Sequence, residues 1–90
     1  MPRQFTKQPA ESLDYDFDWS RWLTSPDVIS TSVVTAESGI TLGVKVSSTT
    51  VVKQFVSGGT SGSDYKITCR ITTVEGRIDE EEITILVREF

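Results

Sequence analysis

An antiparallel β-sandwich is the fold class this sequence predicts, and three observations predict it. Apolar and polar residues alternate with a period of two in one stretch after another, the pattern of strands buried on one side. Turn residues punctuate these stretches at roughly 8–12-residue intervals, the spacing of a sandwich or small barrel. No segment sustains the 3.6-residue apolar period of a helix.

The elements follow in order. Residues 1–11 are polar, contain Pro2 and Pro9, and lack periodicity, which predicts an extended N-terminal arm ahead of a sandwich domain over residues 12–90. Such an arm is ordered only when its own domain or a neighbour holds it. Leu13, Tyr15, Phe17 and Trp19 then alternate with Asp14, Asp16 and Asp18, placing the apolar side chains on one face of a first strand and the aspartates on the other. Ser20-Arg21-Trp22-Leu23 reads as a bend or one helical turn, ended by Thr24-Ser25-Pro26-Asp27. Residues 28–35 are rich in β-branched side chains and form a strand, with either Ile29 and Val33 or Val28 and Val34 facing in.

After the Glu37-Ser38-Gly39 turn, Ile40, Leu42, Val44 and Val46 alternate cleanly with polar or small residues, and Gly43 weakens that strand or marks a bulge. Residues 50–56 form the next strand, with Val52, Gln54 and Val56 opposed to Val51, Lys53 and Phe55. A Gly/Ser loop over 57–64 leads to a long strand at 65–73. The Glu75-Gly76 turn then joins it to a last strand, about 78–88, as a hairpin. Tyr65 opens the penultimate strand just after a glycine-rich corner. In immunoglobulin-like domains a tyrosine near this place bonds back across the corner, so the preferred version is an Ig-like sandwich of six to seven strands, ahead of a small barrel.

Ninety residues make one domain, and a chain this short buries only roughly 60–65% of its unfolded surface, so neighbouring subunits can add to its stability. The net charge is −4 and the nine basic residues form no cluster, which argues against nucleic acid. No apolar run approaches a membrane span, and the N-terminal residues carry no apolar core of a signal peptide. Cys69 alternates with Ile67 and Ile71, so it reads as a small buried hydrophobe; without a disulfide framework, a reducing assembly compartment fits best.

Chemistry-bearing patterns are few. Asp14-x-Asp16-x-Asp18 has the opening spacing of a calcium loop, but Trp19 and Ser25 stand where glycine and a bidentate acid belong; the wet face of a strand explains it better. The loop 57–64 resembles a phosphate loop in composition alone, lacking its lysine and its helix. Asp79-Glu80-Glu81-Glu82 reads as charge that keeps strand edges from pairing. The chain has no histidine, which removes the commonest general base, the usual nucleophile pairs and most zinc sites. Neither catalysis, cofactor nor metal is expected. Function is expected from surfaces. Trp19 continues the inward face, and Trp22, off that register, reads first as a further core residue and second as interface. With Phe5 on the arm and Arg21 it makes up the candidate interface residues, tryptophan and arginine being enriched at binding hot spots.

The residues also carry a resemblance. Asp14-Tyr15 followed by Asp18-Trp19 and Trp22-Leu23 matches a pattern D-Y-x-x-D-W-x-x-W-L, and residues 57–89 match S-G-G-T-x-G-x-x-Y-x-x-T-x-R-I-T-T-x-x-G-R-x-D-E with apolar positions and Glu89 after it. In both, the chain resembles a family of small tailed-bacteriophage virion proteins described as fiber-tail adaptors or head–tail structural proteins. It departs from the pattern at Cys69, where polar residues are common, and in the long acidic run after Asp79. The resemblance implies a non-enzymatic virion subunit, assembled in the host bacterial cytoplasm, that acts in the neck or tail and links fibers or connector components. Its implied partners are portal or connector, tail or fiber subunits and copies of itself in a homo-oligomer, with no nucleic acid and no membrane. A capsid decoration or cement protein is the alternative. A carbohydrate- or receptor-binding module is less favoured, since the loop 57–64 offers no aromatic platform.

Overall fold

A computed structural model describes residues 3–89; Met1 and Pro2 of the expected arm, and Phe90, lie outside them. Seven strands run through the described residues, in the order β1 (Arg3–Lys7), β2 (Leu13–Asp18), β3 (Ile29–Ala36), β4 (Ile40–Ser47), β5 (Val51–Gly58), β6 (Asp64–Thr73) and β7 (Ile78–Val87). They form two sheets, β1-β7-β6-β3 and β2-β5-β4, packed face to face as the expected all-β sandwich. All neighbouring pairs are antiparallel except β1 with β7.

The alternation read in the sequence becomes the core. Tyr15, Phe17 and Trp19 from one sheet meet Ile67, Cys69, Ile71, Ile83, Ile85 and Val87 from the other, with Val52 and Val56 completing the layer. Burying one such aliphatic side chain stabilises the fold by about 1.5–3 kcal/mol. Cys69 is fully buried and burial pushes its thiol up to about 12, so it packs as a hydrophobe and does not ionise near neutrality. The molecule measures 44 × 25 × 19 Å. Its long dimension follows the strands, because a ten-residue strand alone covers about 33 Å.

The N-terminal segment is extended, and Arg3–Lys7 lies against its own domain as the edge strand β1, aligned with residues 83–87 of β7. Two side chains fix it. Phe5 packs on Tyr15 with ring centroids 4.9 Å apart. Lys7 is fully buried, and its ammonium donates to the carbonyls of Gln8 (2.7 Å), Pro9 (3.4 Å) and Gly58 (2.6 Å). Since Gly58 ends β5, this one side chain ties the two sheets together.

Two bulges redirect side chains. In β3 the register shifts between Ile29 and Thr31, so Val34 packs against the core while Val33 is 58% exposed. In β4, Leu42 faces Val56 but Lys45 faces Gln54, so Gly43 and Val44 together oppose one residue of β5. The clean alternation through Val46 therefore breaks at Gly43. Leu42 packs against the core, whereas Val44 and Val46 turn outward, 67% and 54% exposed. Buried Gln54 holds the bulge, its amide nitrogen lying 3.0 Å from the Gly43 carbonyl and 2.8 Å from that of Phe55. Lys45 takes the vacated inner register and reaches the Ser32 carbonyl of β3 at 2.7 Å.

Candidate interaction site

Past the end of β2 the chain makes a tight turn in which the amides of Trp22 and Leu23 both donate to the Trp19 carbonyl at 2.9 Å. This turn keeps Trp19 in the core, 3% exposed, and leaves Trp22 at the surface, 37% exposed. The buried indole of Trp19 needs an acceptor, and its N–H donates to Asp79 Oδ2 at 2.9 Å. Asp79 thus serves the core, and Glu80 lies 3.6 Å from Arg70 across the β6–β7 ladder. The first two members of the acidic run accordingly have partners inside the domain, rather than acting only as edge charges.

Asp27, read in the sequence as a turn residue, is the centre of this end. Its side chain is fully buried and gathers two backbone amides and the Arg77 guanidinium. Oδ1 accepts from the Val28 and Glu75 amides, both at 3.1 Å. Oδ2 accepts from Arg77 Nε at 3.0 Å, and Arg77 Nη2 lies 3.0 Å away as an ion pair without making a hydrogen bond. Burial raises the Asp27 carboxyl, but hydrogen bonds from Thr73, the Glu75 amide and Arg77, with the charge of Arg77, outweigh it and hold the group below its ordinary value. Thr73 completes the hairpin turn, its hydroxyl accepting from the Arg77 amide at 2.9 Å and its own amide donating to the Arg77 carbonyl at 2.8 Å.

The guanidinium of Arg77 also lies over the Trp22 ring, 4.6 Å from its centroid. One planar cation is therefore clamped between a buried carboxylate and an exposed indole, a geometry that arginine supports and lysine does not. Val74 (68% exposed) and Ile78 (55% exposed) flank the hairpin turn, and Arg21 is exposed beside Trp22. Among the described residues there is no pocket. A preset aromatic and cationic surface without a cleft suits a protein partner better than a small substrate.

The three interface candidates expected from the sequence separate at this point. Arg21 and Trp22 belong to this end. Phe5 instead sits on β1 over Tyr15, about midway along β2, half-buried in the domain. Asp27 and Arg77 escape sequence reasoning as members of the site, because a lone Asp after proline and an Arg after glycine both read as turn chemistry. The resemblance pattern held part of the signal. Its residues Trp19, Trp22, Thr73, Arg77 and Asp79, distant in sequence, converge here.

A family model described as podophage GP4 fiber-tail adaptor protein gp77 matches residues 7–86. The chain belongs to this family. The phage resemblance read from the residues is thus shown, and the family is one of structural adaptors of the virion. No curated protein matches the chain. Among the described residues no helix is long and apolar enough to cross a membrane.

Proposed function

We propose that this chain is a non-enzymatic structural subunit of a tailed-phage virion, an adaptor at the neck or tail that links fibers to connector or tail components. It is present there in several copies, and its partners include copies of itself. Membership in the fiber-tail adaptor family supports this reading. So does one structural observation: Trp22 is held half-open by Arg77, which buried Asp27 in turn fixes. An exposed tryptophan on a flexible loop would lose side-chain and loop entropy on binding, at about 0.5–1.5 kcal/mol per immobilised side chain. Here that ordering is already done before a partner arrives. The domain presents a rigid hot spot of the composition that dominates protein interfaces.

The test is complementation of the phage that carries this gene with the paired substitution Arg21→Ser and Trp22→Ser. The expected result is loss of the protein from purified particles while the isolated variant still melts cooperatively. Particles that incorporate the variant at the normal level contradict the proposal.

A further inference from the structure

The two sheets converge along one flank of the sandwich. Here β3 and β4, edge strands of different sheets, bring Ser32 Oγ within 3.3 Å of Ser47 Oγ, and Lys45 Nζ donates to the Ser32 carbonyl at 2.7 Å. Alternation turns the neighbours of these serines outward. Val33 on one sheet and Val46 on the other flank the seam, with Val44 on the same face as Val46, and all three are exposed. Ile78 is also exposed on the outer side of the four-stranded sheet, but it belongs to the hairpin at the Trp22 end, two strands from β3. The flank is nearly free of charge. Between Val28 and Val52 the chain holds only Glu37 and Lys45, of opposite sign, so the whole net charge of −4 resides elsewhere. Glu37 Oε1 accepts from the Lys66 amide at 2.6 Å. The cations that face the valines across the ladders, Arg70 opposite Val33 and Lys53 opposite Val46, are paired with Glu80 at 3.6 Å and Asp14 at 3.7 Å.

We propose that this neutral flank is the surface through which two copies of the chain meet. The proposal rests on the reading of the chain as a virion subunit present in several copies, and deepens it by assigning the contact between copies to β3 and β4. Charge selects the occupant. Two copies of like charge repel wherever they approach through acidic strands. The carboxylates of β2 and β7 stand two strands away from β4 and β3, about 10 Å, which exceeds the screening length of about 8 Å at physiological salt. On this flank one copy therefore meets another with little repulsion, whereas a partner of opposite charge gains no attraction here.

Shape and size fix the mode of contact. A two-fold axis parallel to the strands exchanges the two sheets and sets Val33 of one copy beside Val46 of the other, twice over, an isologous contact that closes on itself. Valine side chains make it rather than added backbone pairing, because the bulge at Gly43-Val44 and the inward Lys45 blunt the edge of β4. An eight-residue strand covers about 27 Å and stacked sheets lie about 10 Å apart, so with its side chains the flank offers about 500 Å² per copy. A standard interface buries about 800 Å² per partner, so the pair is weak in solution and gains strength in the particle through avidity.

Sedimentation velocity of the full chain between about 10 µM and about 1 mM tests the proposal. The expected result is a monomer–dimer equilibrium with a dissociation constant on the order of 100 µM, unchanged or tightened by added salt. Val46→Lys should weaken it roughly tenfold or more at unchanged melting temperature, since it sets a desolvated ammonium in each half of the contact. Thr60→Lys makes the same change of net charge in the glycine-rich loop after β5 and should leave the constant unchanged. A chain that stays monomeric at the highest concentration, an association that salt weakens, or equal constants for the two lysine variants overturns the proposal. Absence of the chain from purified particles overturns the virion-subunit reading instead, while the measured equilibrium stands.

Discussion

At the Trp22 end the sandwich is closed by ions and aromatic rings, whereas at the Tyr65 end it is closed by glycines and by backbone carbonyls gathered on a lysine. The first end joins Trp19 to Asp79 and locks Arg77 between Asp27 and Trp22. At the second, Tyr65 turns its hydroxyl back to accept from the Thr60 amide at 2.9 Å. Gly39 and Gly59 lie against its ring: a Cβ on the former would stand 3.0 Å from the tyrosine, and one on the latter 2.8 Å from Val87 and 3.3 Å from the ring. Lys7 collects the carbonyls of Gln8, Pro9 and Gly58 nearby. The difference teaches a division of labour. The Tyr65 end is consumed by its own packing, whereas the Trp22 end satisfies its buried groups and still leaves an indole and apolar side chains at the surface.

The largest expected effect strikes the Tyr65 end. Gly59→Val combines a left-handed backbone, φ +94°, with the collision against Val87. Strain and overpacking together should cost about 3–5 kcal/mol, read as a lower urea midpoint. A midpoint within experimental error of the wild type would mean that this corner is not tightly closed.

Acid should act first at the opposite end. The folded carboxyl of Asp27 titrates below its ordinary value of 3.8, so the stability it contributes is present above 3.8 and is lost as pH falls through the folded value. Both tryptophans lie at this end, so their emission should shift during that titration. Asp27→Asn should remove the shift and melt at a lower temperature at neutral pH. An unchanged acid profile in that variant would show that the clamp is not ionic.

The same sign of linkage operates in the alkaline range at Lys7. Burial, partly opposed by Glu11, lowers its ammonium below the ordinary 10.5. Stability should therefore rise as pH climbs from the folded value toward 10.5, since the unfolded chain still binds the proton there. Lys7→Met should abolish this rise. Tyr65→Phe, which removes one hydrogen bond from the same end, should lower the melting temperature by a smaller amount than Gly59→Val.

The smallest effect tests the body between the ends. Cys69 should not react with a thiol reagent at pH 8 until the domain unfolds globally, because its thiol is buried and titrates at about 12. Labelling of the folded domain at pH 8 faster than its global unfolding allows would show that the core opens locally.

The sandwich was legible because most of its strands bury one face and solvate the other, so period two survives from Leu13 to Trp19 and again from Tyr65 to Thr73. Cys69 could be placed for the same reason. What the sequence concealed depends on a single residue outweighing a pattern. Gly43 was visible as a possible bulge, but nothing local showed that Gln54 would hold it and send Val44 and Val46 outward. The strand β1 was hidden because it is five residues long and its buried member is a lysine, a side chain that is almost never fully buried unless paired. Asp27 was hidden because burial of an aspartate requires donors from residues 73–77, far along the chain. Trp22 visibly falls off the register that carries Trp19 into the core, but phase alone favoured a core place for it over a surface one, and the turn at Trp19 leaves it 37% exposed.

The adaptor account stands on the Trp22 end being covered in the particle. Hydroxyl-radical footprinting of the two tryptophans, in the isolated domain and in intact virions, tests this directly. Trp19 is buried in both states and serves as the internal reference. Trp22 should be oxidised readily in the isolated domain and protected several-fold in the virion. Equal oxidation of Trp22 in both samples, with the protein present in the particle, would contradict the account.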